Sequence, residues 1–343
     1  MTMDMYSWID RVKYGEKKPM PILSYPAAQL LFITVKELVE SSSYQALGMR
    51  LIADRYDMPA ALSYMDLSVE AEAFGAHTVY GVDEVPTIIG RLIDDMDDAE
   101  KLQVPEVGAG RTGVCVDTIR KANKLINDRP VFGGCIGPFS LAGRLMNVND
   151  IMVKCYSDPD AVHVVLKKAS EFITKYIEAQ KTAGANAVVM AEPLAGLLSP
   201  DLMSEFSSKY VRDIVEQVQD KHFIVIYHNC GSAINRLTDE ILETGCIAYH
   251  FGESADMQLM LEKIPSNCLV MGNISPSAVF NSHSADDVRR AVTRLFDQTK
   301  GHDNFVISSG CDLPPYTDMD NIDMFFKTAR DYYYRQRLWD IIE

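Results

Sequence analysis

His222-Phe-Ile-Val-Ile-Tyr-His-Asn-Cys-Gly231 is a β-branched and aromatic run that ends on a histidine and a cysteine two positions apart and stops at a glycine. Such composition reads as a buried strand. Residues i and i+2 of a strand point to the same face, so His228 and Cys230 converge at its exit if the extended geometry lasts that far. Near the end of the chain Asn304-Phe-Val-Ile-Ser-Ser-Gly-Cys311-Asp repeats the device. Two thiolates and an imidazole suit zinc, whose catalytic sites use three protein ligands and keep a fourth position open. The alternative is that Cys230 and Cys311 are ordinary buried thiols.

Working outward from this stretch, strands are expected over 130–137, 186–193, 223–231, 247–252, 268–274 and 304–311, with helices between them. Asp158-Pro159 and Ser199-Pro200 are helix-start signals, and Gly184 and Gly245 close helices. Alternating β and α units with continuously apolar strands imply a parallel sheet covered on both faces. With a first strand over 20–25 and an eighth within 61–81, the expected fold is α/β, a (β/α)8 TIM-type barrel. Its domain would span 19–343 behind a helical segment 1–18. A doubly wound open sheet is the alternative, but polar groups stand at nearly every strand exit and not at one switch point. Whether His77-Thr-Val-Tyr80 is a barrel strand or a side hairpin stays open.

If the barrel is right, its strand exits face one another across one mouth. They supply Glu192, His228, Cys230, Glu253, Asn273 and Cys311. Glu192 is the candidate fourth zinc ligand or a group that polarises substrate, and Glu253 and Asn273 are the other catalytic candidates. Two thiolates and a neutral imidazole cancel the dication, which favours binding a thiolate, ether or alcohol oxygen during group transfer over activating water.

The totals exclude other classes. A net charge of -15 over 343 residues disfavours nucleic acid, which is bound through lysine and arginine clusters. The apolar run Leu30-Leu-Phe-Ile-Thr-Val35 is too short to span a bilayer, and seven scattered cysteines suit a reducing, cytoplasmic setting. Gly108-Ala-Gly110-Arg-Thr-Gly113 fits the dinucleotide fingerprint by letter, yet no buried strand leads into it, so a plain glycine-rich loop before a helix is expected. No nucleotide cofactor is assigned. Tyr332-Tyr-Tyr334 beside Phe325-Phe326 reads as helix packing, with the rim of a homodimer interface as the alternative.

Gly137-Pro-Phe-Ser-Leu-Ala-Gly143, Ala179-Gln-Lys-Thr-Ala-Gly-Ala-Asn-Ala-Val-Val-Met-Ala-Glu192-Pro193, His228-Asn-Cys-Gly231, Gly272-Asn-Ile-Ser275 and Ser309-Gly-Cys-Asp-Leu-Pro-Pro315 together resemble the uroporphyrinogen decarboxylase superfamily of barrels. Within it the chain looks like the zinc-dependent, corrinoid-linked methyltransferases. The decarboxylases carry an arginine-rich N-terminal segment, whereas 19–31 has no arginine. The resemblance implies zinc on His228, Cys230 and Cys311 and a methyl group moving between a small substrate and the cobalt of a corrinoid. With no Asp-x-His-x-x-Gly motif here, that corrinoid is expected on a separate partner protein. A methyl ether such as a methoxyaromatic is the expected substrate, as in O-demethylases. A thiol acceptor resembling coenzyme M and a porphyrinogen decarboxylation are the alternatives.

Overall fold

The structure, a computed structural model, describes residues 3–281 and 284–342, with side chains through Leu338. Nine strands occur among them: β1 (Ala61–Leu62), β2 (Thr78–Val79), β3 (Thr87–Ile88), β4 (Val131–Ile136), β5 (Ala187–Ala191), β6 (Ile224–Asn229), β7 (Ala248–Phe251), β8 (Leu269–Ile274) and β9 (Phe305–Ser309). Seven of them form one sheet in the order β1-β4-β5-β6-β7-β8-β9, with every neighbouring pair parallel. Between β4 and β9 each strand leads into helical segments that cross back outside the sheet, the longest being Pro159–Ala183.

Period-two alternation splits the strands into two cores. Leu62, Phe132, Ala187, Val189, Ile224, Ile226, Ala248, Leu269, Met271 and Val306 fill the interior. Val188, Met190, Val225, Tyr227, Tyr249, Val270 and Ile307 face the surrounding helices. The floor is plugged by the helix Met5–Tyr14, whose Met5, Trp8, Ile9 and Val12 join the interior cluster. Trp8 meets Phe132 edge-on at 5.2 Å and donates its indole N–H to the Pro59 carbonyl at 3.0 Å.

One expectation changes. Residues 20–25 do not form a laddered strand. Met20 N–H donates to the Ile307 carbonyl (3.0 Å) and Leu313 N–H to that of Ile22 (3.1 Å), but Ile22 N–H goes to the Ser309 hydroxyl (3.0 Å). Pro19 and Pro21 have no N–H to donate, which limits the segment to an extended stave along β9. Met20 and Ile22 still contribute to the interior, so the segment completes the barrel wall beside seven strands joined by six parallel ladders. The strand within 61–81 that joins the sheet is Ala61–Leu62, while Thr78–Val79 pairs antiparallel with Thr87–Ile88 as a side hairpin. Among the described residues no helix is long and apolar enough to cross a membrane.

Candidate metal centre

The inward alternation of β6 runs Ile224, Ile226, His228; that of β7 runs Ala248, His250; that of β9 runs Val306, Ser308. Ladder register sets His228 opposite His250. A polar layer therefore caps an apolar interior at the exits of the strands. His228 Nδ1 lies 2.8 Å from His250 Nδ1, and His250 Nε2 lies 2.7 Å from the Ser308 hydroxyl. His228 Nδ1 is also 3.3 Å from the His250 carbonyl, which can only accept. The proton on His228 thus belongs on Nδ1, His250 Nδ1 accepts it, and His250 Nε2–H donates to Ser308. Burial pushes His250 well below the ordinary imidazole range, so it stays neutral in this chain.

That tautomer leaves the Nε2 lone pair of His228 free, and this atom is buried without a hydrogen-bond partner. It faces Cys230 and Cys311: the donor atoms of the three residues all lie within 4.8 Å of one another. Cys230 is delivered by the turn after β6. There Asn229 donates to the Glu192 carbonyl (2.7 Å) and accepts from Gly231 N–H (2.8 Å). Gly252 must lack a side chain, because a Cβ there would lie 2.4 Å from that of Cys230. Cys311 sits between two backbone anchors, Gly310 N–H to the Ile274 carbonyl (2.6 Å) and Leu313 N–H to that of Ile22 (3.1 Å). Hydrogen bonding between the thiols lowers Cys230 and raises Cys311 to about 12, so a cation bound here displaces a proton from the pair. An orphaned imidazole nitrogen beside two thiols fits zinc.

The other candidates are placed differently. Glu192 is fully buried, but its carboxylate caps the helix Pro138–Met146, accepting from Phe139 N–H (2.8 Å), Ser140 N–H (2.8 Å) and the Ser207 hydroxyl (3.1 Å). A Cβ at Gly137 would lie 2.5 Å from that carboxyl carbon. Glu192 is not brought among the clustered donors, and its work here is to fix β4 and β5 exits to each other. Glu253 stands exposed in the turn after β7, where its charge acts on the Cys230 thiol. Asn273 holds that turn, donating to the carbonyls of Gly252 (3.0 Å) and Ala255 (2.8 Å).

Three parts of the mouth escaped the sequence reading. His250 is a positioning residue for His228, and replacing it with phenylalanine is expected to weaken zinc binding about 10- to 100-fold, as loss of a supporting neighbour does. Chelator competition measures this, and unchanged affinity would refute the hydrogen-bond relay. Arg111, from the glycine loop, is buried and bonded to Asp66, to Glu72 (2.7 Å), to the Ser68 hydroxyl (2.7 Å) and to Tyr80 (2.8 Å). Glu70 is buried, with one oxygen accepting from Ile136 N–H (2.9 Å) and the other unpaired.

Burial pushes Glu70 up to about 8. A carboxyl whose folded pKa exceeds its unfolded one binds more protons when folded, so stability falls as pH rises from about 4.3 to the folded value. Glu70→Gln keeps the acceptor and removes the ionisation. Its melting temperature should match the wild type near pH 5 and exceed it near pH 8.5, by the equivalent of about 1–3 kcal/mol. Equal pH profiles for the two proteins would count against a protonated Glu70.

The profile of the uroporphyrinogen decarboxylase (URO-D) family matches residues 26–332. The chain belongs to the uroporphyrinogen decarboxylase family. Within this family it is similar to the methylcobamide:CoM methyltransferase MtbA of Methanosarcina acetivorans, 26% identical over 274 residues that cover 78% of each chain. It is also similar to the uroporphyrinogen decarboxylase of Paraburkholderia phytofirmans, 25% identical over 285 residues, 78% of this chain and 76% of the relative. In fold, the URO-D family chain is similar to a methyltransferase from Methanosarcina mazei, with a TM-score of 0.83 at 22% identity over 97% and 98% of the two chains.

Proposed function

We propose that this URO-D family chain is a zinc-dependent methyltransferase that passes a methyl group between a small substrate and a corrinoid carried by a partner protein. The observation that carries the reading is the buried, unpartnered Nε2 of His228 held beside Cys230 and Cys311. The likeness to MtbA, a methylcobamide:CoM methyltransferase by name, supports it.

His228, Cys230 and Cys311 would hold the zinc, which when bound supplies a Lewis acid that lowers the pKa of a substrate thiol or stabilises a departing oxygen. The chain's own residues keep the local charge near zero. Two thiolates would balance the dication, and burial pushes the neighbouring Asp312 carboxyl up to about 8. Ser24 and Asp312 are hydrogen-bonded, which ties the stave 20–24 to the turn that carries Cys311. Asn273 and Gly252 set the turn opposite, and Glu253 stands on its open side.

Two thiolate ligands and the MtbA likeness favour a thiol as methyl acceptor over the methyl ether expected from the sequence. In that direction the thiol gives up its proton to solvent, its sulfur forms the bond to the methyl carbon as the cobalt–carbon bond breaks, and cobalt keeps the electron pair. Zinc-loaded protein mixed with methylcobalamin and 2-mercaptoethanesulfonate should yield cob(I)alamin and the thioether, and chelator-treated protein should not. Methyl-cobalt formed from cob(I)alamin and a methoxyarene, with no thiol activity, would instead select the methyl ether. Conversion of a tetracarboxylate porphyrinogen in the presence of chelator would overturn the methyltransferase reading in favour of a decarboxylase.

A further inference from the structure

The floor of the barrel, at the opposite end of the strands from the metal centre, holds a cavity of about 670 Å³. It lies between the end of the helix Met5–Tyr14 with the following Gly15–Pro19, the end of the helix Ser42–Arg55, Asp303 before β9, and the helix Met319–Ile342. Pockets for small organic ligands run to about 300–1,000 Å³. In a chain of net charge -15 this lining is cationic, with Lys13, Lys17, Lys18, Arg55, Arg330 and Arg337 set against Glu16, Asp57 and Asp303.

Three of these cations are already matched: Lys18 to Asp57 (2.8 Å), Arg55 to Asp323 (2.7 Å) and Arg337 to Glu16 (3.6 Å). The other three are not. Lys13 is 5% exposed and, among the described residues, has no hydrogen bond or ion pair, only the Tyr14 ring at 4.8 Å. Lys17 reaches no carboxylate and donates to the Asp303 carbonyl, and Arg330 has no ion pair among the described residues. Burial pulls Lys17 down to about 8, with Asp303 opposing and the repulsion of Lys13 adding to the fall. Lys13 is buried and Lys17 partly so, while Arg330 stands exposed at the rim; holding two like charges near each other away from water costs free energy unless an opposite charge joins them. Tyr56 stacked on Phe326 at 4.2 Å, with Tyr333 and Tyr334, supplies flat apolar wall beside the cations.

We propose that this floor cavity is a second binding site, for a small multivalent phosphate-bearing anion held by Lys13, Lys17 and Arg330. A single carboxylate would offset only one of three charges, whereas a polyphosphate meets two ammonium groups and a guanidinium fork together. Nucleoside triphosphate and inorganic tripolyphosphate share that chemistry, and the aromatic wall distinguishes them.

The test is calorimetric titration of full-length, zinc-loaded protein with ATP and, separately, with tripolyphosphate, without magnesium and at low salt. One probe or both should bind one to one below about 1 mM and weaken as salt is raised. Tighter binding of ATP assigns the site to nucleotides, and equal binding assigns it to the phosphates alone. The double variant Lys17→Gln, Arg330→Gln should bind at least about tenfold more weakly, with zinc content unchanged and a melting temperature in the absence of probe no lower than that of the wild type. No heat and no thermal stabilisation by either probe at about 1 mM would overturn the proposal, as would undiminished binding by the double variant.

Discussion

Cys311→Ala protein is expected to lose its zinc and its methyl transfer together while keeping its fold. The loss should exceed the roughly 10- to 100-fold that removal of a supporting neighbour costs, because a charged ligand disappears and the remaining thiolate and imidazole no longer balance the dication. The fold should survive because Cys311 is only half-buried and the turn around it is held by main-chain hydrogen bonds from Gly310 and Leu313. Elemental analysis and thermal denaturation of the same preparation check both halves. Stoichiometric zinc in the variant, with the wild-type affinity, would remove Cys311 from the ligand set.

The second large effect is on stability. Arg111→Met should cost about 3–5 kcal/mol, the usual consequence of removing one partner from a buried ion pair and leaving the other charge behind. Asp66 would be the charge left, since its carboxylate and the Arg111 guanidinium are both nearly inaccessible to solvent. Glu72, Ser68 and Tyr80 lose donors at the same time. Adding Asp66→Asn should recover part of the loss, because the stranded charge goes with it. Urea unfolding of the two variants measures this, and a cost under about 1 kcal/mol would show that the network contributes little.

The barrel and the three clustered donors were legible because both depend on local pattern. Apolar runs of strand length, each closed by a turn and a helix, announce a covered parallel sheet. Histidine and cysteine at the exits of such strands are few enough to be noticed, and the structure brings His228, Cys230 and Cys311 within 4.8 Å. What escaped depends on register and on distant partners. His250 lies in β7 opposite His228, a register that makes it a hydrogen-bond acceptor for that ring. The alternation Ala248, His250 against Ile226, His228 was the available signal.

Glu192 depends on distant partners in the same way. Its identity at a strand exit suggested a ligand, but the preceding exit, Gly137-Pro138, opens a helix whose free N–H groups claim the carboxylate first. Arg111 was hidden inside a glycine loop that matches a dinucleotide fingerprint, and its partners come from residues far earlier in the chain. Pro19 and Pro21 did carry a warning: a segment with two missing donors can lie against β9 but cannot ladder with it.

X-ray absorption at the zinc edge of the purified wild-type protein reads out whether one zinc is held by His228, Cys230 and Cys311. One zinc per chain is expected, with two sulfur neighbours at about 2.3 Å and nitrogen or oxygen at about 2.0–2.1 Å. A shell made of nitrogen and oxygen alone, or protein that takes up no zinc when it is supplied, would contradict it.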